Sequence, residues 1–318
     1  MFSVVILTYN SELTIRNTLE SACLVSDDVH IVDSYSSDNS LAIALACGAS
    51  VVQHPFKNYG AQRNWAIDNL PLRYNWQLHL DADEYLSPGL IAELNNLKHD
   101  FGRNGVDGYY VPRMIRFLGC NLRFGGLYPT WHMRLFRTGA GRCERRRYDQ
   151  HFIVQGKTAK LNYPIVDDHQ MTLFEWTARH NRWAEAERDD LLCPAAEGVI
   201  AGKLTGSVVQ RKRALRNCYY QFPLFVRPVL LFFYRYFLRL GFLDGVPGLI
   251  YIVLQAFWYR FLVDAKLYEL QKVGEKSKQT RAAPSALRDL SVISASAEIA
   301  KKPPAAFKQQ PHQTLRKS

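Results

Sequence analysis

The stretch Leu78-His79-Leu80-Asp81-Ala82-Asp83-Glu84-Tyr85 decides how this chain folds. An apolar run from Trp76 ends in two carboxylates one residue apart, a third follows, and Pro88-Gly89 opens what reads as a helix. Alternate residues of a strand share a face, so Asp81 and Asp83 can converge where the strand gives way to a loop. Oxygen ligands so arranged suit a hard divalent cation, and Mg²⁺ takes one or two carboxylates together with its substrate's phosphates. Open α/β sheets bind ligands beyond the carboxyl ends of their strands. The expectation is a metal–diphosphate site. Alone, the same pattern is also ordinary turn and helix-cap chemistry.

Upstream, Phe2-Ser3-Val4-Val5-Ile6-Leu7 reads as a strand buried on both faces. Thr8-Tyr9-Asn10-Ser11 breaks it, and Asn10 or Ser11 can cap a helix carrying Ile15, Leu19 and Ala22 at helical spacing. His30-Ile31-Val32-Asp33 is a second strand, closed by the polar loop Ser34-Tyr35-Ser36-Ser37-Asp38-Asn39. A helix from Ser40 to Cys47, a stop at Gly48, a strand Ser50–Gln53 and a helix from about Ala61 to Asn69 complete the rhythm. Strand and helix alternating in this way predict a mostly parallel sheet with covering helices. Thr8-Tyr9-Asn10, Asp33 with Ser36 and Asp38, and Asp81/Asp83 then fall on one edge of it. Neither G-x-x-x-x-G-K-[ST] nor G-x-G-x-x-G occurs, so neither a P-loop nor a dinucleotide site is indicated.

Beyond Leu97 the pattern becomes mixed. Gly108–Phe117 and His132–Phe136 read as strands, and Thr172-Leu173-Phe174-Glu175 is a capping box opening a helix to about Leu191. From Lys203 to Leu243 there are eight Lys/Arg and no acidic residue, among many aromatics. Two prolines and Arg227 and Arg235 interrupt the first apolar stretch, and the second, Gly245–Tyr259, is fifteen residues long; a spanning helix needs about 20. Basic residues among aromatics without acidic partners suit helices lying on an anionic leaflet. A buried helical layer is the alternative. After about Gly274 the composition predicts a disordered basic tail.

The net charge of +11 is therefore uneven: from Gln271 on, ten Lys/Arg stand against three Asp/Glu, whereas the first two hundred residues are close to neutral. Six scattered cysteines without a C-x-x-C pair support neither zinc nor a disulfide framework. They read as core residues in a reducing compartment. Phe2–Leu7 is too short for a signal peptide, so a cytoplasmic protein, peripherally attached to the inner face of the membrane, is expected.

Ser3–Asn10, Val32–Ser40 and Asp81-Ala82-Asp83-Glu84, in this order and spacing, resemble the family 2 glycosyltransferases. The resemblance covers roughly residues 2–100. Leu224-Phe225-Val226-Arg227-Pro228 and Gly241-Phe242-Leu243-Asp244-Gly245 are similar to bacterial members that build lipopolysaccharide core or exopolysaccharide. The resemblance implies an inverting enzyme of α/β class, with a GT-A-like, mostly parallel nucleotide-binding sheet flanked by helices. A mixed acceptor-side region and C-terminal amphipathic, aromatic helices follow. It divides the chain into a nucleotide-sugar half (1–100), an acceptor-side region of the same domain (101–200), a basic-aromatic helical segment (201–272) and a tail (273–318).

Asp33 would contact the nucleobase. Asp83 would hold Mg²⁺ or Mn²⁺ on the diphosphate, and Asp81 would lie at the ribose and metal. Thr8, Tyr9, Asn10, Ser36, Asp38 and Arg63 would complete the nucleotide-sugar site, with UDP the expected nucleotide. The base that takes the acceptor proton belongs in the acceptor half. Asp149, in Tyr148-Asp149-Gln150-His151, is the first candidate and Glu144 the second; a loop or salt-bridge role is open for both. His169 and His180 read as structural. Gln210-Arg211-Lys212-Arg213 resembles the start of a processive synthase's Gln-x-x-Arg-Trp motif, but Ala214 replaces the Trp. The acceptor implied is a lipid-linked or lipopolysaccharide-type saccharide, and no nucleic-acid partner is expected. A sugar nucleotidyltransferase, lacking here its Gly-rich basic loop, and a non-catalytic basic membrane- or nucleic-acid-binding protein are the alternatives.

Overall fold

The computed structural model describes residues 1–98, 100–102, 105–144, 149–192, 201–206 and 208–282. Four strands lead: β1 (Ser3–Thr8), β2 (Val29–Asp33), β3 (Ser50–Gln53) and β4 (Trp76–Asp81), with α1 (Ile15–Cys23), α2 (Ser40–Ala46) and α3 (Tyr59–Asn69) between them. They lie parallel in the order β3-β2-β1-β4. Every residue of β1 is buried, as its unbroken apolar run requires of a strand covered on both faces. Its register decides the site: Thr8 pairs with Asp33, and Leu7 with Asp81. Three strand ends thus meet at one edge.

The chain next makes β5 (Glu84–Leu86), α4 (Pro88–Leu97, capped by Ser87), β6 (Val106–Phe117), β7 (Cys120–Leu122) and β8 (Thr130–Arg137). β9 (Gly141–Cys143), β10 (Phe152–Val154), β11 (Lys157–Lys160) and β12 (Ile165–His169) follow. The sheet continues β4-β8-β6-β12-β5, with β8 antiparallel to both neighbours. β5 returns beside β12 and sets Glu84 opposite Asp167. Strands from before and after residue 100 therefore share one sheet, and β9 and β10 form a separate ribbon.

α5 (Leu173–Leu192), α6 (Val208–Gln221), α7 (Val226–Phe233), α8 (Gly245–Ile252) and α9 (Tyr259–Ala282) follow, with π-helical turns at Tyr234–Leu238 and Val253–Trp258. Trp176, Tyr251, Ile252 and Ala256 pack against Ile115, Phe117, Leu122 and Leu127. Gly125, at φ 65°, permits this approach: a Cβ there would meet Ile252 Cδ1 at 2.8 Å. The chain divides into Met1–Lys266 and a short unit from Leu267 on. Helical backbone reaches Ala282, past the expected onset of disorder near Gly274, because Lys, Glu, Gln and Ala favour helix even without an apolar face. The rest of the expected tail lies outside the described residues.

Two further expectations change. Asn10 and Ser11 do not cap α1, whose N-cap is Thr14; Asn10 instead takes φ 46° and turns to the β2 loop. The basic segment does have acidic partners, supplied from distant positions: Asp264 for Arg227, Glu144 for Arg213, and Glu187 for Arg216. A one-dimensional charge count cannot register ion pairs closed by folding.

Candidate active site

At the β1–β2 edge a local network shapes the loops. Buried Asp33 accepts from the Ser36 amide (2.9 Å), Ser36 Oγ (2.5 Å) and Gln53 Nε2 (3.0 Å). The Asn10 amide donates to Ser36 Oγ, while Asn10 Oδ1 accepts from the Ser37 amide at 2.8 Å. Asp38 accepts from the amides of Glu12 and Ser40, both at 3.0 Å, so its carboxylate is spent tying the two loops together. Thr8 Oγ1 is buried without a hydrogen-bond partner, and the Tyr9 ring is 61% exposed.

The two aspartates of Asp81-Ala82-Asp83 behave differently. Asp81 bonds Arg63 at 2.6 Å and Arg134 at 3.0 Å, one oxygen to each. Burial would lift its carboxyl, but these guanidinium groups outweigh burial and hold it far below the ordinary range. Asp83 has a looser partner in Arg179, at 3.9 Å, with His169 also close enough to favour its charge. Burial, followed by repulsion from Asp167 and Asp81, pushes its carboxyl up to about 6. A carboxylate whose acid form is favoured by neighbouring carboxylates gains from a further cation placed beside it. Among the described residues no three metal-ligating side chains converge. A cation here would draw its remaining ligands from diphosphate and water, the usual way of Mg²⁺. Asp83 fits that role; Asp81 would first have to release an arginine.

Sequence reading missed several residues here. Arg134 on β8, 4% exposed, joins Asp81 to Glu84, the latter at 2.5 Å. Its signal was a charge inside the apolar His132–Phe136 run, where an unpaired charge would be costly. Asp167 pairs with Arg113 at 3.1 Å and His169 at 3.1 Å. Burial disfavours the His169 charge, yet Asp167 outweighs burial and lifts its pKa. His169, read as structural, therefore stands beside the Asp83 cluster; the strand-ending Asp167-Asp168-His169 repeats the logic of Asp81. His180 is structural as read, stacked on Trp176 with ring centroids 3.4 Å apart.

Across the site, Asp149 takes φ 54° and contacts Arg216 (3.3 Å), His151 (3.4 Å) and Lys212 (3.7 Å). Burial opposes its charge, but Lys212, His151 and Arg216 hold its carboxyl well below the ordinary range. Glu144 is sealed from solvent, bonded to Arg213 and to the His151 amide, both at 2.8 Å. The residues between them, 145–148, lie outside those described. Of the two base candidates, only Asp149 keeps an exposed carboxylate surface.

Residues 3–157 match the model of glycosyl transferase family 2. The chain carries a glycosyltransferase family 2 domain. A Rickettsia conorii protein described as an uncharacterized glycosyltransferase is 25% identical over 87% of this chain and 92% of its own length. A Rickettsia bellii glycosyltransferase is 36% identical over 36% of this chain and 38% of its own. Among solved structures, S. aureus TarS 1-349 in complex with UDP-GlcNAc aligns over 84% of this chain and 91% of that one, at 14% identity and a TM-score of 0.42. Glucosyl-3-phosphoglycerate synthase from Mycobacterium tuberculosis, with Mn²⁺ and UDP-glucose, aligns over 64% and 83%, at 16% identity and a TM-score of 0.40.

Proposed function

We propose that this glycosyltransferase moves a sugar from a nucleoside-diphosphate sugar, with UDP the expected nucleotide, to a lipid-linked or lipopolysaccharide-type acceptor at the cytosolic face of a membrane. The observation that carries the donor half is the strand register, which brings Thr8, Asp33 and Asp81 to one edge with Asp83 just beyond it. Asp33, braced by Ser36 and Gln53, receives the base. Asp81, clamped by Arg63 and Arg134, forms the charged floor beneath ribose and diphosphate. A divalent cation, held by Asp83 and the diphosphate, would neutralise the leaving nucleotide. Asp149 faces the acceptor and takes its hydroxyl proton as the sugar passes by single displacement with inversion.

The membrane half of the reading rests on an apolar surface. Phe233, Phe237, Leu238, Phe242, Leu243 and Val246 are between 43% and 76% exposed, along consecutive turns that also carry Arg235 and Arg239. Patches of this kind mark interaction surfaces, and aromatic-basic ones suit the bilayer interface. Gly241–Val273 is also one helix long and apolar enough to cross a membrane by length and composition. Its window is 33% buried, and the packing of Tyr251, Ile252 and Ala256 on the β6–β7 end of the sheet favours lying on the surface over crossing.

Thermal stability measured against UDP, GDP, dTDP and their sugars, with and without Mg²⁺ or Mn²⁺, tests the donor reading. A ligand at 100 times its dissociation constant adds about 2.7 kcal/mol. One nucleotide should stabilise the wild type only with metal, and Asp83→Asn should abolish the effect. No shift with any nucleotide would refute the reading. Flotation with anionic vesicles, followed by carbonate extraction, tests the membrane half: surface attachment predicts binding and release, whereas a spanning helix resists extraction.

A further inference from the structure

Asp149 holds a backbone conformation that side chains rarely adopt, with φ 54°. Such a residue persists when its surroundings fix it. Helix α6 supplies two arginines three positions apart, hence on one helix face. Arg213 Nη2 donates to the Asp149 carbonyl at 2.8 Å and fixes the main chain. Arg216 Nη1 donates to the carboxylate Oδ2 at 3.3 Å and so reaches the side chain. Each arginine also holds a glutamate that solvent does not reach. For Arg213 this is Glu144, at 2.8 Å; for Arg216 it is Glu187 on α5, bonded through Nη2 at 2.7 Å.

Glu187 is itself fixed from three elements. Its Oε1 also accepts from Arg260 Nη1 at 2.7 Å and from the Tyr220 hydroxyl, and its Oε2 accepts from the Tyr259 hydroxyl at 2.6 Å. α5, α6 and the start of α9 thus close on one buried carboxylate. Moving it would leave two guanidinium groups without their partner, which is costly away from water. A guanidinium presents its donors in a rigid fork, so anchoring Arg216 at Nη2 also sets the direction of Nη1. The other contacts to the Asp149 carboxylate are less constrained. Lys212 approaches at 3.7 Å from a half-exposed flexible stem, and His151 at 3.4 Å from two residues along the same chain.

We propose that Arg216 is a positioning residue for the base: anchored on Glu187, it aims the Asp149 carboxylate at the acceptor hydroxyl. The inference rests on the reading of Asp149 as the base and adds the group that orients it. A base works only within hydrogen-bond reach of the proton it takes. Arg216 acts on the reaction through Asp149 alone, and Glu187 acts through Arg216.

The test uses the full chain with Mg²⁺ and reads turnover as UDP release from UDP-glucose, UDP-galactose or UDP-GlcNAc, with water as the acceptor. Arg216→Gln should lower kcat roughly tenfold to a hundredfold, the cost of a base displaced by about 1 Å, with KM for the UDP-sugar unchanged. In an Asp149→Asn background the same substitution should cost nothing further, because no base is left to aim. An arginine with a merely structural role would add its own loss to that of Asp149→Asn. Glu187 keeps Arg260, Tyr220 and Tyr259 when Arg216 goes, so Arg216→Gln is expected to fold. If it does not, Arg216→Lys keeps the charge without the fork and takes the same double-variant test. The proposal is overturned if Arg216→Gln turns over like wild type, if the two losses add, or if KM rises while kcat holds. Wild type that releases no UDP from any of these donors, or Asp149→Asn as fast as wild type, would instead refute the base reading itself.

Discussion

The two halves of the site are held together in opposite ways. The donor edge is built from neutral donors on neighbouring loops: Ser36 and Gln53 on Asp33, Ser37 on Asn10, the Ser40 amide on Asp38. The acceptor side is built from charges far apart in the chain, such as Arg213 with Glu144 and Arg216 with Glu187, and the same construction reaches the donor edge at Asp81, held by Arg63 and Arg134. Short polar contacts tolerate water and fix a loop shape. Buried ion pairs require the whole fold, and leave a bare charge when one partner goes. On the proposed reading, recognition of a nucleotide suits the first construction and binding of the acceptor the second.

The difference can be broken by mutation. Asp264→Asn should have the largest effect on stability, about 3–5 kcal/mol, because Arg227, 4% exposed, loses the carboxylate that it binds through Nε at 2.9 Å. Urea unfolding would measure this; a loss below about 1 kcal/mol would place the distant ion pairs on a par with surface ones. Asp149→Asn should lower turnover roughly 10²–10³-fold with donor KM little changed, as expected for removal of a general base. Near-normal turnover, followed by UDP release, would discard that assignment.

A smaller effect concerns pH. Asp83 titrates near 6 in the folded protein, above an ordinary carboxylate. Between those values the folded state holds more protons than the unfolded one, so this group makes stability fall as pH rises from about 4 to about 6, by on the order of 1–2 kcal/mol. Asp149 and Asp81, held low, act oppositely: their contribution is present above the ordinary carboxylate range and lost only in stronger acid. Unfolding midpoints at pH 4.5 and 7 with chelator, wild type against Asp83→Asn, should show the variant's slope to be the flatter one in alkaline direction. Ser36→Ala should cost least, about 1 kcal/mol of UDP affinity, since Asp33 keeps its amide and Gln53 partners.

The donor edge was legible because its determinants are local. An apolar run, a strand-ending polar residue and a helix recur within about thirty residues, and the strand ends at Asp81 with Asp83 in the turn just beyond it. Glu144 shows the limit on the acceptor side: as a lone acid among arginines it reads equally as base or ion pair, and only the folded chain seals it against Arg213. His169 shows the converse, a residue read as structural that β12 carries to Asp83's neighbourhood by pairing with β5.

The sequence by itself determined the alternating α/β half, the identity and order of the strand-end motifs, and the family they resemble. The first two follow from periodicity and spacing over short distances, the last from the resemblance of those motifs to a known family. Only the tertiary structure decided which of two adjacent aspartates is clamped by arginines and which is left open. It also decided which cations in the basic segment find carboxylates and which face of the aromatic helices is covered. Those outcomes depend on contacts closed across fifty or more residues, where burial and charge pairing exist only once the chain has folded.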